Sequence, residues 1–104
     1  MRQREPTMTI DKKLDNGKLT LAVAGRLDTN TSPELEAAVK LDGVEELVFD
    51  VAGLEYIASS GLRVLLGAQK TMSAKGGKML VANPNEMVRG VFEVTGLDGI
   101  FEIA

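Results

Sequence analysis

The chain has 104 residues, a formal net charge of −3 and neither cysteine nor histidine. This length suits one domain with one hydrophobic core. The missing residue types exclude disulfides, thiolate zinc sites, imidazole metal ligands and a Ser-His-Asp relay. The 12 basic residues are scattered, and no basic face carries stacking aromatics, so we expect no nucleic-acid partner.

The start of the sequence and the length of its apolar runs indicate the cellular location of the protein. No apolar run approaches the roughly 18 residues that suggest a transmembrane helix, so we expect a cytoplasmic protein with no membrane partner. The start, MRQREPTMTI, lacks the hydrophobic stretch of a secretory signal. We predict a flexible tail over residues 1–7 and a single domain over residues 8–104.

Residues 8–23 predict a β-hairpin. In MTIDKKL the apolar residues Met8, Ile10 and Leu14 fall on one face of a strand, and the charged residues between them are typical of an edge strand. Asn16-Gly17 is a hairpin turn signal. LTLAV, residues 19–23, then alternates large and small side chains as a second strand does.

The segment TSPELEAAVKL predicts a short helix of about two to three turns. Ser32 is the predicted N-cap, and Pro33 suits the first helical position. Asp42-Gly43 is expected to end the helix. Its predicted apolar face consists of Leu35, Ala38 and Val39.

Residues 47–82 predict one βαβ unit with a right-handed crossover. LVFDV, residues 47–51, is nearly all apolar and suggests a strand covered on both faces. A long helix follows from Ser59 or Ser60 to about Ala74, and KMLVA, residues 78–82, is the next strand. The predicted buried face of the helix consists of Leu62, Leu65, Leu66 and Met72.

The last part of the chain predicts a third helix and a final strand. Asn85 is the expected cap of this helix, and Gly96 is the expected stop. GIFEI supplies the strand. The predicted fold is therefore α/β: a single-domain mixed sheet of about five strands in the order β-β-α-β-α-β-α-β, with helices packed against it.

The segment IASSGL places Ser59 and Ser60 where a strand gives way to the long helix. A helix cap, a nucleophile, an anion cradle and a site of modification are the alternatives. A nucleophile elbow requires glycine two positions before the serine, where Ile57 and Ala58 stand, and no Gly-Lys-Ser/Thr tripeptide supports a phosphate loop. Capping and modification stay open, because a helix N-terminus favours the negative charge of a phosphoserine.

Two segments carry a family resemblance. GRLDTNTSPELE (25–36) and DVAGLEYIASSGLRVLLGAQK (50–70) each follow a strand and open a helix. Together they resemble the anti-sigma factor antagonist family, whose domain is called the STAS domain, and the resemblance extends from Met8 to Ile103. It implies a STAS-like fold.

The resemblance also implies a function in bacterial partner switching. Family members bind an anti-sigma factor that is also a serine kinase, and binding releases a sigma factor for transcription. The kinase phosphorylates the antagonist, and a metal-dependent phosphatase of the PP2C type reverses the modification. An antagonist of this kind is a binder and a substrate, so the resemblance implies no enzymatic activity, no catalytic residue, no metal and no cofactor.

Carried over by position, the phosphate acceptor is Ser59. Ser60 would be its neighbour and the helix cap. Ala58 stands where family members often have aspartate. The expected partner-binding residues are Asp28, Ser60, Leu62, Arg63 and Leu66.

Three further expectations follow from the resemblance. The chain stops just after its last predicted strand, where many family members add a helix, and a face left uncovered there would support a weak homodimer. Ala58 and this short end suggest a constitutive scaffold or interaction module as an alternative function. A domain that binds a small anion, a nucleotide or a lipid is the least favoured alternative.

Overall fold

The computed structural model describes residues 7–104, so the predicted tail, apart from Thr7, lies outside the described residues. The order of elements confirms the predicted fold class, with one additional 3₁₀ turn before the last strand. The elements are β1 (Met8–Asp15), β2 (Lys18–Leu27), α1 (Ser32–Ala38), β3 (Glu46–Ile57), α2 (Ser59–Ala74), β4 (Lys78–Ala82), α3 (Glu86–Thr95), the 3₁₀ turn (Leu97–Gly99) and β5 (Glu102–Ile103).

The five strands form one mixed sheet in the order β1-β2-β3-β4-β5. The hairpin of β1 and β2 is antiparallel, as predicted, and the other three pairs are parallel. Asn16 (φ 48°) and Gly17 (φ 81°) form the hairpin turn in left-handed conformations. Asparagine and glycine tolerate such angles, and a turn of this hand matches the twist of the flanking strands.

All three helices pack on one face of the sheet. Each crossover from β2 onward leads to the adjacent strand in the same direction, and right-handed crossovers in one direction place their helices on one side. Accordingly, one core cluster joins Leu35 of α1, Leu65 of α2 and Phe92 of α3 to Phe49 of β3. Val48 lies outside this cluster on the opposite face. Val48 is nevertheless only 7% exposed, so this segment of the strand is buried on both faces as predicted, although the helices lie on one face only.

The first helix differs from the prediction at both ends. Thr31 occupies the N-cap position, and Ser32 is the first helical residue, so Ser32 is not the cap. The Ser32 hydroxyl is instead donated to the carbonyl of Asp28, at 2.6 Å. The helix ends at Ala38, before the predicted stop at Asp42-Gly43, because Val39 already leaves the helical conformation (φ −83°, ψ 88°).

Strand β3 is longer than the predicted segment 47–51 and runs on to Ile57. The extension pairs with the end of β2, where Leu27 lies opposite Ile57, after two register shifts. Gly53 allows this pairing, because a Cβ there would lie 2.8 Å from the Cβ of Ala24. The longer strand carries the chain up to the start of α2.

The second and third helices follow the prediction closely. Helix α2 begins at Ser59 and ends at Ala74, with Leu65 and Met72 buried, whereas Leu62 and Leu66 are only partly buried. The predicted cap and the predicted stop of α3 are both confirmed. The Asn85 side chain accepts a hydrogen bond from the Val88 amide at 2.9 Å, and Gly96 (φ 77°) ends the helix.

Candidate functional site

The residues predicted as functional gather where β2 and β3 end and α1 and α2 begin. The amide of Ala58 donates to the carbonyl of Leu27 at 2.9 Å, which ties the start of α2 to the end of β2. The loop after β2 therefore lies beside the first turn of α2. We call this region the carboxyl-edge site, defined by Asp28, Thr31, Ser32, Ser59, Ser60 and Arg63.

Ser59 is the first residue of α2, and its side chain is exposed. Ala58 occupies the N-cap position with an extended backbone (ψ 171°), and within residues 7–104 no side chain caps the helix. The interpretation of Ser59 or Ser60 as the helix cap was therefore wrong. An exposed hydroxyl at an uncapped helix start is accessible to an incoming enzyme, and the helix dipole favours negative charge there.

Ser60 faces α1 and is only partly exposed. Its hydroxyl lies 3.2 Å from that of Ser32, which is only 4% exposed. Ser32 has one hydroxyl hydrogen, and the short bond to the Asp28 carbonyl takes it. Ser60 therefore donates to Ser32, and this chain of hydroxyls joins the first turns of the two helices.

Asp28 orders the loop between β2 and α1. Its Oδ1 accepts from the amides of Asn30 (3.0 Å) and Thr31 (3.1 Å). The Thr31 hydroxyl in turn donates to the carbonyl of Arg26 at 2.8 Å. The amide of Thr31 is the main cause that lowers the pKa of Asp28 below its usual value, because it stabilises the charged carboxylate.

Beside this loop, Arg26 connects Asp28 to an exposed aromatic ring. The Nε of Arg26 lies 3.8 Å from Oδ2 of Asp28, and its guanidinium carbon lies 4.3 Å from the centre of the Tyr56 ring. A guanidinium over a ring face is held by the ring's quadrupole. The edge of the site thus presents a charged and aromatic rim.

A groove of about 600 Å³ runs between α1 and α2, and a smaller depression of about 150 Å³ adjoins Ser32 and Ser60. Arg63 lines both, whereas Leu62 and Leu66 pack partly against the core. Of the predicted partner-binding residues, Arg63 therefore lines the groove, whereas Leu62 and Leu66 lie against the core. The groove is lined by Glu36, Val39, Leu41, Asp42, Arg63, Val64, Gly67, Ala68, Thr71 and Lys75.

Gly61 is a site residue that the sequence did not indicate. A Cβ at this position would lie 2.5 Å from Cγ of Leu27, which is fully buried. The missing side chain lets α2 approach β2 and so sets where Ser59 and Ser60 stand. The glycine after the two serines is the only signal in the sequence, and it does not reveal which residue comes close.

Other kinds of site have no support among the described residues. In the part of the chain from Thr7 onward, no three acidic, histidine or cysteine side chains form a group that could hold a metal ion. Nor does any helix within that range have the length and apolar character to cross a membrane.

Comparisons with known proteins agree with the fold and with the resemblance. A family model of the STAS domain matches residues 9–104. The chain is 31% identical over 100 residues to an anti-sigma F factor antagonist from Paenibacillus polymyxa, which covers 92% of this chain and 86% of that protein.

Solved structures show the same architecture. An anti-sigma factor antagonist from Mycobacterium paratuberculosis has a TM-score of 0.82 at 28% identity, over 92% of this chain and 84% of that one. The Bacillus protein SpoIIAA, 22% identical over 92% of this chain, has TM-scores of 0.80 in its unphosphorylated form and 0.74 in its phosphorylated form, over 88% and 91% of those chains. The chain therefore belongs to the STAS domain family.

Proposed function

We propose that this protein is an anti-sigma factor antagonist whose carboxyl-edge site docks on an anti-sigma factor serine kinase, and that phosphorylation of Ser59 prevents docking. The observation that carries the proposal is the exposed Ser59 hydroxyl at the uncapped start of α2. The name of the Paenibacillus polymyxa relative supports the antagonist function. The protein acts in the cytoplasm as a binder and a substrate, not as an enzyme.

The local geometry separates docking from folding. A phosphoserine carries about −1.5 to −2 charges at pH 7. At the first position of α2 the helix dipole favours that charge, so the fold accommodates it. A partner surface that met the neutral hydroxyl would instead face a bulky dianion, and acidic or apolar groups on that surface would be repelled. The modification therefore acts on binding.

The neighbouring residues have distinct proposed roles. Asp28 holds the adjoining loop, and Ser60 fixes the two helix starts relative to each other. Arg63 lies one turn after Ser59 and is exposed, so it is available to a partner's acidic groups. Leu62 and Leu66 supply the partly exposed apolar contact beside it.

The proposal is tested by phosphate mapping. The purified chain is incubated with an anti-sigma factor kinase from the same bacterium and ATP, and the product is analysed by mass spectrometry. We expect a single phosphate on Ser59, its loss in Ser59→Ala and its retention in Ser60→Ala. A PP2C-type phosphatase with its metal should remove it. Phosphate on another residue, or none in the presence of a kinase that phosphorylates another antagonist, contradicts the proposal.

The cap position favours a second candidate function. Ala58 supplies no side-chain cap, and it stands where the family resemblance places aspartate. A kinase that reads that aspartate would not use this chain, and the protein would then serve as a constitutive interaction module in a signalling complex. A stable complex that is indifferent both to ATP and to Ser59→Asp identifies this function.

A further inference from the structure

The exposed side of α2 carries Ser59 and Arg63 four positions apart. Both side chains are exposed, and both belong to the first turns of the helix. Residues at i and i+4 are neighbours on one helix face, with Cβ atoms about 5–6 Å apart. Helical side chains also point back towards the N-terminus, so the long Arg63 side chain extends over the turn that carries Ser59. A group added to Ser59 therefore lies within reach of the Arg63 guanidinium.

Arg63 has no acidic partner within the described chain. From Thr7 onward the structure contains one ion pair, which joins Arg26 to Asp28. Glu36 of α1 lines the same groove and the same small depression as Arg63, yet these two side chains form no ion pair. The guanidinium of Arg63 is therefore available to a stronger anion.

The second arginine near the start of α2 is already engaged. The hydrogen bond between Ala58 and Leu27 brings the end of β2, and with it Arg26, to this helix start. The Arg26 guanidinium lies over the Tyr56 ring, and its Nε is 3.8 Å from Oδ2 of Asp28. Of the two arginines, Arg63 is therefore the one that can take a new partner without losing an old one.

We propose that a phosphate on Ser59 draws Arg63 away from the groove and into an ion pair on the first turns of α2. This inference rests on the proposed function and adds a second effect to the modification. A guanidinium binds phosphate oxygens through two parallel N–H···O bonds, and such charge-assisted bonds are about twice as strong as neutral ones. An anion four residues before a cation is also the more favourable order on a helix.

The ion pair changes the docking surface at two points. The phosphate adds negative charge at Ser59, and the movement of Arg63 removes a positive charge from the edge of the groove between α1 and α2. A carboxylate of the partner that paired with Arg63 in the unmodified chain then loses its contact. The effect of the phosphate therefore extends from the start of α2 into the groove.

The titration of the phosphate itself, followed by ³¹P NMR, tests the proposal. Phosphoserine is incorporated at position 59 during translation, so no kinase is needed. The second ionisation of a phosphoserine lies near pH 6, where carboxylates and guanidinium groups keep their charges, and the sequence has no histidine or cysteine. The charged or titratable side chains on the elements that adjoin the start of α2 are Arg26, Asp28, Glu36, Glu55, Tyr56 and Arg63.

The midpoint of this titration should depend on Arg63. Because the guanidinium stabilises the phosphate dianion, Arg63→Gln should raise the midpoint by about 0.2–0.6 pH units. Arg63→Lys keeps the charge without the two parallel donors and should give an intermediate value. The control, Lys70→Gln, removes the same charge about 16 Å further along α2, beyond the screening length of about 8–10 Å. It should move the midpoint by less than about 0.1 pH units.

A second measurement follows the arginine. The Nε–H resonance of Arg63, identified by its loss in Arg63→Gln, should shift between the serine and the phosphoserine forms, whereas that of Arg26 should stay. An unchanged midpoint in Arg63→Gln, a change equal to that of Lys70→Gln, or an unmoved Arg63 resonance overturns the inference. None of these results involves a kinase, so they are distinct from a failure of phosphate mapping, which contradicts the proposed function.

Discussion

The hydroxyls of Ser32 and Ser60 lie 3.2 Å apart and join the first turns of α1 and α2. Ser32→Ala should lower the free energy of unfolding by about 1–2 kcal/mol, because it also removes the bond to the Asp28 carbonyl, and Ser60→Ala by about 0.5–1 kcal/mol. The double variant should cost less than the sum by about 0.5 kcal/mol or more. Urea unfolding of the four proteins measures this, and strict additivity would show that the hydroxyls do not interact.

A charge at Ser59 should change binding and leave stability nearly unchanged. Ser59→Asp is expected to weaken the complex with the anti-sigma factor kinase at least about tenfold, which titration calorimetry measures. Its melting temperature should stay within about 2 °C of the wild type, since a carboxylate at a helix start is favourable. Ser59→Ala, the uncharged control, should bind like the wild type. Equal weakening by both variants would assign the effect to the lost hydroxyl.

The close approach of α2 to β2 predicts opposite effects for two glycines of the same helix. Gly61→Ala should destabilise the protein by about 1–3 kcal/mol, because the new methyl group would overlap the buried Leu27. Gly67→Ala, with no atom within 4 Å of its new Cβ, should stabilise it by about 0.5–1 kcal/mol through helix propensity. Thermal unfolding compares the two, and a stabilising Gly61→Ala would refute the packing argument.

The lowered pKa of Asp28 predicts a pH-dependent contribution to stability. The folded state binds this proton less tightly than the unfolded chain, whose aspartates titrate near pH 3.9. The stabilisation is therefore full above that pH and is lost as the pH falls through the lowered folded value. Asp28→Asn keeps an oxygen for the Thr31 amide but removes the charge. The gap in unfolding free energy between wild type and variant should stay constant above about pH 5 and narrow as the pH falls below it through the lowered folded value, and a constant gap throughout would contradict the assignment.

Asn85 has two separable hydrogen bonds. Its side-chain oxygen caps α3 at the Val88 amide, and its Nδ2 donates to the Leu54 carbonyl at 2.7 Å. Asn85→Ala removes both and should cost about 1–2 kcal/mol. Asn85→Asp retains the cap and loses the donor, so it should fall between the wild type and the alanine variant in urea unfolding. An aspartate variant less stable than the alanine variant would mean that the bond to Leu54 dominates.

Local sequence patterns were enough to predict much of the fold. The turn at Asn16-Gly17, the cap at Asn85 and the stop at Gly96 depend on the conformations that those residues themselves prefer, and all three are present. The same holds for the bounds of α2 and β4. Where a residue's own conformational preference fixes the backbone, the local structure can be predicted from that segment alone.

The errors concern features that depend on a distant segment. Ser32 and Ser60 have the chemistry of caps, but each hydroxyl is engaged across the gap between α1 and α2. The extension of β3 depends on its pairing with the end of β2, and the position of all three helices on one face follows from the direction of all the crossovers. The position of Ser59 at an exposed helix start was predictable, whereas the closeness of Gly61 to Leu27 was not.

The antiparallel hairpin brings both ends of the described chain to one rim of the sheet. Thr7 accepts a hydrogen bond from the Arg26 amide there, and Ala104 follows the carboxyl end of β5. A tag attached after Ala104 would therefore start at the rim that carries the carboxyl-edge site. The turns at Asn16-Gly17 and Gly76-Gly77 lie at the far rim, so a dye or a surface anchor attached there would stand away from the carboxyl-edge site.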